Sequence, residues 1–117
     1  MDLDTLREIC MAKPGATEEL QWEVHLLYKV GGKIFLLIGL EEGNRFNAKC
    51  DPDWAIELRE HHSEIVPGFH MNKKHWNTVH MDGNLSKKQL CDMIDHSYDL
   101  VLKSLPKKLQ AEIAAIN

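Results

Sequence analysis

The sequence has few cysteines, and their spacing excludes the sites that cysteine usually builds. Cys10, Cys50 and Cys91 lie far apart in the chain, and no two of them form a C-x-x-C pair. Zinc knuckles and thiol redox centres need closely spaced pairs, so neither is indicated. Free thiols in a reducing compartment are the simpler interpretation, and without a basic, apolar leader we expect a cytoplasmic protein.

Long apolar runs and catalytic motifs are absent as well. The longest apolar stretch, Ile34 to Leu40, is much shorter than the roughly 20 residues that cross a bilayer. The chain has no G-x-S-x-G elbow, phosphate-binding loop, H-E-x-x-H pair or dinucleotide fingerprint. We therefore expect a binding protein that is not an enzyme and needs no cofactor.

Positive charge is scarce overall, yet it is unevenly distributed. The net charge is −4, which argues against a polybasic nucleic-acid binder. Residues 41–64 contain seven acidic and three basic side chains, whereas residues 65–81 have no Asp or Glu but hold two Lys and three His. An acidic element is thus followed by a basic, histidine-rich one.

Hydrophobic periodicity predicts a single α+β domain over residues 1–117, with an antiparallel sheet packed on helices. Gly31 and Gly32 accept the positive φ angles of a tight hairpin, and Ser86 with Gln89 forms a capping box. The predicted order is a helix (2–12), three strands (23–30, 33–40, 45–50), a helix from Asp51, one or two strands (around Ile65 or Phe69, and 75–81), a long helix, and a short helix after Pro106.

The segment Phe69–Val79, FHMNKKHWNTV, closely resembles the signature of the MmcQ/YjbR family. Further agreement lies in PGATEE (14–19), KVGGKIF (29–35), KCDP (49–52), VPG (66–68) and SYDLV (97–101). The chain departs at Gln21-Trp22, where relatives tend to have Pro-Phe. The resemblance implies a secretion-chaperone-like or frataxin-like fold and a DNA-binding role, described for the family as a double wing.

A candidate DNA contact lies in the basic part of that signature. Lysine attracts phosphate, asparagine can hydrogen-bond a base edge, and tryptophan can stack on an unpaired base. Two lysines are few, so basic residues of the hairpins would have to contribute. The candidate contact residues are Lys73, Lys74, His75, Trp76 and Asn77, together with Arg45 and Lys49. The plainer alternative is that Trp76 packs in the core and the lysines are merely solvated.

Other functions stay open or are disfavoured. His70, His75 and His80 recur at every fifth position, and an odd spacing on a strand sends side chains to opposite faces, so no metal site is predicted. Cys50 ends an apolar strand face and is interpreted as a small core residue. The serious rival to DNA is a protein or peptide that binds a sheet face or edge, and the chain is expected to be a monomer or homodimer.

Overall fold

The computed structural model describes residues 1–41, 43–69 and 71–116. Its helices are α1 (Leu3–Met11), α2 (Pro52–His61), α3 (Lys87–Lys103) and α4 (Lys107–Ala114), and its strands are β1 (Ala16–Gln21), β2 (His25–Val30), β3 (Lys33–Gly39), β4 (Arg45–Lys49), β5 (Ile65–Pro67) and β6 (Trp76–His80). The strands form one antiparallel sheet in the order β1-β2-β3-β4-β6-β5. The predicted α+β class and the order of helical and strand blocks are confirmed.

Strand β1 is an addition to that order, because the sequence predicted three strands before α2 and the structure has four. It is an edge strand with mostly exposed side chains, so it lacks the apolar alternation that reveals a half-buried strand. On its helix side, Glu18 accepts a hydrogen bond from the Tyr28 hydroxyl at 2.6 Å and forms an ion pair with Arg7 at 2.9 Å. Polar contacts here replace the apolar packing that the pattern search requires.

One face of the sheet carries the hydrophobic core. Helices α1, α3 and α4 contribute Leu6, Ile94 and Ile113 to the same cluster as the strands. From α2, the partly buried Trp54 and Leu58 pack against that cluster. A β-bulge in β3 inserts Phe35 opposite β2, so that Phe35 and Leu36 both point to this face. The ring of Phe35 meets that of Tyr98 edge-on, with centroids 5.3 Å apart. Helix α3 is thereby fixed across the centre of the sheet.

A serine of α3 completes the pairing between β3 and β4. The last paired residues at that end are Leu36 and Ala48. Beyond them, the fully buried Ser97 hydroxyl donates to the Phe35 carbonyl at 2.5 Å and accepts from the Lys49 amide at 2.8 Å. The hydroxyl thus bridges two backbone groups that the bulge separates, and it holds the backbone of Lys49 in place.

Two side chains fix the start of helix α2 beside α3: the Asp51 carboxylate, which caps the helix, and His96 of α3. The Asp51 carboxylate accepts from the amides of Asp53 and Trp54, and Pro52 occupies the first turn, as the sequence predicted. The Asp51 amide donates to His96 Nε2 at 3.0 Å, and the His96 ring meets the Trp54 ring edge-on. This geometry requires an unprotonated Nε2.

That requirement predicts a pH dependence of stability. Burial lowers the pKa of His96 below its ordinary value of 6.5, although Asp51 and Asp99 partly oppose the shift. The unfolded chain therefore binds the proton more readily, so the stabilisation is complete above about pH 6.5 and is lost as the pH falls through the folded pKa. Urea unfolding from pH 7.5 to 5 should show a decline that is shallower in His96→Gln, which can accept the same bond without titrating. Equal slopes in the two proteins would contradict this.

Candidate nucleic-acid interface

The face of the sheet opposite the helices is here called the open face. Strand register and side-chain alternation assign to it the residues that alternate with the core positions. These are Thr17, Glu19, Gln21, His25, Leu27, Lys29, Ile34, Leu37, Gly39, Arg45, Asn47, Lys49, Val66, Trp76, Thr78 and His80. The surface that remains for a partner is therefore built from β-strands and their loops.

Charge on the open face is predominantly positive. Among the strand residues just named, Glu19 is the one carboxylate, and Lys29 pairs with it at 2.5 Å. Arg45 and Lys49 are four residues apart on β4 and therefore lie on the same face. Lys49 pairs with Trp76 on β6. A chain with an acidic total thus presents a locally basic face, as the charge distribution along the sequence suggested.

The open face is hollowed by a groove of about 520 Å³. At its floor, Gly39 pairs with His25 on one side and lies next to Arg45 on the other, because Ile38 pairs with Phe46. With no side chain at Gly39, a gap opens between His25 and Arg45. The groove is lined by Gln21, Trp22, His25, Leu37, Gly39, Arg45, Phe46, Asn47, Phe69, Met71 and Thr78.

Two exposed aromatic rings stand on opposite sides of this gap. Trp22 is 78% exposed and its ring meets that of His25 edge-on, with centroids 6.3 Å apart. Phe69 is 42% exposed, and the Arg45 guanidinium carbon lies 4.9 Å from the centre of its ring. Each flanking residue of the gap thus carries an aromatic partner, and together they form the two walls of the groove.

The Trp22 wall stands on an unfavourable backbone. Trp22 and Glu23 have φ angles of 50° and 61°, the left-handed region that L-residues rarely adopt. Such conformations cost on the order of 1–3 kcal/mol each and concentrate at functional sites. In the same wall, the buried Nδ1 of His25 has no hydrogen-bond partner among the residues that the structure describes. The fold maintains two unfavourable features where the exposed tryptophan is displayed.

The Phe69 wall is fixed by the chain that follows β5. The Phe69 amide donates to the Thr78 hydroxyl at 3.0 Å, and that hydroxyl donates to the Asn47 side chain. Thr78 is only 1% exposed. Gly68 packs against Trp76, and an added Cβ there would lie 2.9 Å from the Trp76 Cβ. The close approach of backbone to Trp76 explains a glycine at this position.

The seven predicted contact residues are divided by the structure. Arg45, Lys49 and Trp76 share the open face. Lys73 and Lys74 are exposed in the loop before β6, and the Lys73 ammonium lies 3.4 Å from the Gly68 carbonyl, next to Trp76. His75 is half-buried, and its carbonyl accepts from the Cys50 amide. Trp76 does not pack in the core, as the plainer alternative had it, since the half-buried residue alternates with the core positions and faces away from the helices.

Asn77 is the correction to that set. It alternates with Trp76, so it points to the helix-covered face, where it is 2% exposed. Its side-chain oxygen accepts from Arg59 Nε at 2.7 Å, and the same guanidinium donates to the carbonyls of Lys73 and Trp76. Asn77 cannot reach a ligand on the open face; it anchors the loop that carries Lys73 and Lys74.

Sequence reasoning missed the groove itself. From the sequence, Trp22 stood out only as a departure from the family pattern, and Phe69 only as the start of the family signature and a possible strand residue. His25 lay within the predicted strand 23–30 and was assigned no role. Of the three histidines weighed for a metal site, His70 lies outside the described residues. Within the described ranges no three His, Cys, Asp or Glu side chains gather where they could hold a metal ion. The described part of the chain also contains no helix that could span a membrane.

The comparisons with known proteins agree with one another. The YjbR family model matches residues 11–100. The chain is 34% identical over 111 residues to "Uncharacterized protein YjbR" of Escherichia coli K12, covering 92% of this chain and 93% of the relative. It is 39% identical over 88 residues to "Uncharacterized protein YbdF" of Escherichia coli O157:H7, covering 74% and 72% of the two chains.

Solved structures show the same architecture. The crystal structure of Deinococcus radiodurans protein DR2400, with family-model domain DUF419, superimposes with a TM-score of 0.89 at 33% identity and covers 97% of this chain and 88% of that one. A crystal structure from Pseudomonas syringae superimposes with a TM-score of 0.73 at 24% identity, over 86% and 99% of the two chains, and supports the fold alone.

Proposed function

The chain belongs to the YjbR family, and from that premise we propose that it binds DNA in single-stranded form across the open face of its sheet. The observation that carries the proposal is the combination on one face of basic side chains with exposed aromatic rings. Arg45 and Lys49 supply positive charge, while Trp22 and Phe69 offer ring surfaces. Cationic grooves with aromatic platforms are the usual means of holding a single strand.

The phosphate backbone would be followed by the basic side chains. Lys49 lies across from Trp76, Lys73 lies beside the same residue, and Arg45 stands at the groove. These positions extend from the start of β6 to the centre of the open face. Neutralising phosphate charge releases counterions, which makes affinity depend steeply on salt.

The aromatic rings favour a single strand over a duplex. Bases in a duplex are already stacked on one another, whereas bases of a single strand are free to stack on protein side chains. Trp22 and Phe69 are exposed on walls of a concave site, so each can meet only a base that is not paired. We therefore expect duplex DNA to bind more weakly than an oligonucleotide of equal length.

The rival function is binding of a protein or peptide. The edge strand β1 is six residues long and could accept a further strand, whereas β5 at the other edge has three residues. The basic open face favours a polyanion over this alternative. Binding through strand addition depends on main-chain hydrogen bonds and should therefore depend little on salt.

Fluorescence anisotropy with a labelled single strand tests the proposal. Replacing both Arg45 and Lys49 with Gln should weaken binding by about 10-fold or more at low salt and reduce the slope against log salt by about 0.7 per lost phosphate contact. The matched control replaces the exposed Lys107 and Lys108 of α4 with Gln, which removes the same charge elsewhere. No binding at low salt, or equal loss in both double variants, would refute the proposal.

A further inference from the structure

We infer that the groove on the open face is a site for one nucleotide, with the base against the Trp22 and Phe69 walls and the phosphate at Arg45. The inference deepens the proposed function, because it assigns one unit of the strand to a defined place. It concerns a small-molecule site, so it can also be tested without an oligonucleotide.

The size and floor of the groove suit a compact planar group. Its volume of about 520 Å³ falls within the roughly 300–1,000 Å³ of small-molecule sites. Gly39 and Leu37 form the floor between the two walls, and the absence of a side chain at Gly39 gives depth at the centre of the sheet. A flat ring can lie in such a gap, whereas a peptide strand needs a longer channel.

The walls and the charge specify a base with an anionic group. Aromatic rings bind nucleobases through stacking, and the two walls present one ring each. Arg45, a permanent cation, lines the groove. Arginine binds phosphate in a bidentate manner, so the guanidinium over Phe69 can hold phosphate and ring together. The chemistry therefore fits a nucleoside monophosphate better than a neutral or cationic ligand.

The construction of the Trp22 wall supports a ligand role. Two features lie within four consecutive residues: the left-handed φ angles of Trp22 and Glu23, and the His25 Nδ1, which finds no partner in the described part of the chain. A tryptophan with a structural role would be buried, yet this ring is mostly exposed. The fold tolerates both unfavourable features and leaves the ring accessible beside a basic groove.

Titration of the isotope-labelled full chain with 2′-deoxyadenosine 5′-monophosphate, followed by NMR, tests the inference. The Trp22 indole N–H signal should shift to saturation, while that of the half-buried Trp54 beside α3 should not. Trp22→Ala should weaken binding about 10-fold, and Trp22→Phe should retain most of the affinity because it keeps a ring. Arg45→Gln should weaken the nucleotide about 10-fold and leave deoxyadenosine unchanged.

The outcomes separate this inference from the proposed function. Absence of a saturable shift, or equal affinity of nucleotide and nucleoside for the unaltered protein, would overturn the nucleotide site. Shifts produced by inorganic phosphate alone with equal strength would overturn the role of the walls. Normal oligonucleotide binding by Trp22→Ala would refute the groove, and single-stranded DNA binding would still stand if the Arg45 and Lys49 double variant lost affinity. Binding of the mononucleotide without any oligonucleotide binding would refute the proposed function while the groove stands.

Discussion

Replacing Arg59 with Met is expected to lower the free energy of unfolding by about 2–5 kcal/mol. Arg59 lies on α2, and its guanidinium donates to Asn77 Oδ1 at 2.7 Å, to the Trp76 carbonyl at 3.2 Å and to the Lys73 carbonyl. Asn77 is buried, so its oxygen would lose its partner without gaining water. A buried acceptor left unpaired costs more than the bond itself contributed.

Arg59→Met should also weaken binding at the open face. The two carbonyls that Arg59 binds belong to the loop and strand that carry Lys73 and Trp76. Loss of the anchor should therefore weaken single-stranded DNA binding about threefold to tenfold, through disorder of these contacts. Denaturant unfolding measures the change in stability, and fluorescence anisotropy measures the change in DNA affinity.

The control is Glu60→Gln, a change of an exposed side chain at the next position of α2, which should alter the free energy of unfolding by less than about 0.5 kcal/mol. If Arg59→Met unfolded with the same free energy as the unaltered protein, the guanidinium would not anchor the loop before β6.

Replacing Gly31 with Ala is expected to lower the free energy of unfolding by about 2–4 kcal/mol, against about 1 kcal/mol for Gly32→Ala. Both residues form the β2–β3 turn with positive φ angles of 57° and 81°, so alanine is strained at either position. They differ in their surroundings. A Cβ at Gly31 would lie 2.6 Å from Leu105 Cδ1, whereas a Cβ at Gly32 would meet no atom of the described residues within 4 Å.

Comparing Gly31→Ala with Gly32→Ala separates the cost of the packing clash from the cost of backbone strain. Leu105 is 5% exposed, so its methyl groups cannot move aside without disturbing the contact between the hairpin and the start of α4. Urea unfolding of the two variants should give different midpoints and the same m-value. Equal losses would mean that the hairpin does not pack against Leu105 as closely as described. In a Leu105→Ala background, Gly31→Ala should cost less than it does in the unaltered chain, since the clash is then absent.

The open face shows how far local pattern extends. Alternation along β4 places Arg45, Asn47 and Lys49 on one side, and this much followed from the sequence. The same period of two residues could have separated Trp76 from Asn77, because neighbours on a strand point to opposite faces. Treating the stretch from Lys73 to Asn77 as one contact surface ignored that rule. The structure confirms the alternation and removes Asn77 from the surface.

Strand β1 and the groove required information that no local window contains. Glu18 points toward the helices because its carboxylate accepts hydrogen bonds there from Arg7 of α1 and Tyr28 of β2. Both donors lie in other elements of the fold. The walls of the groove come from the β1–β2 turn and from the chain after β5, which lie at opposite ends of the strand order. Their meeting depends on the position of each strand in the sheet.

The sequence by itself determined the helices, most of the strands, their apolar faces and the local excess of positive charge, because these depend on periodicity, capping and turn residues close in the chain. The tertiary structure alone decided that Trp22, His25, Arg45 and Phe69 surround one gap at Gly39. The Gly31-Gly32 turn sets the register of His25 against Gly39 locally. The placement of β6 and β5 beside β4, which brings Phe69 to Arg45, depends on pairing between residues far apart in the chain.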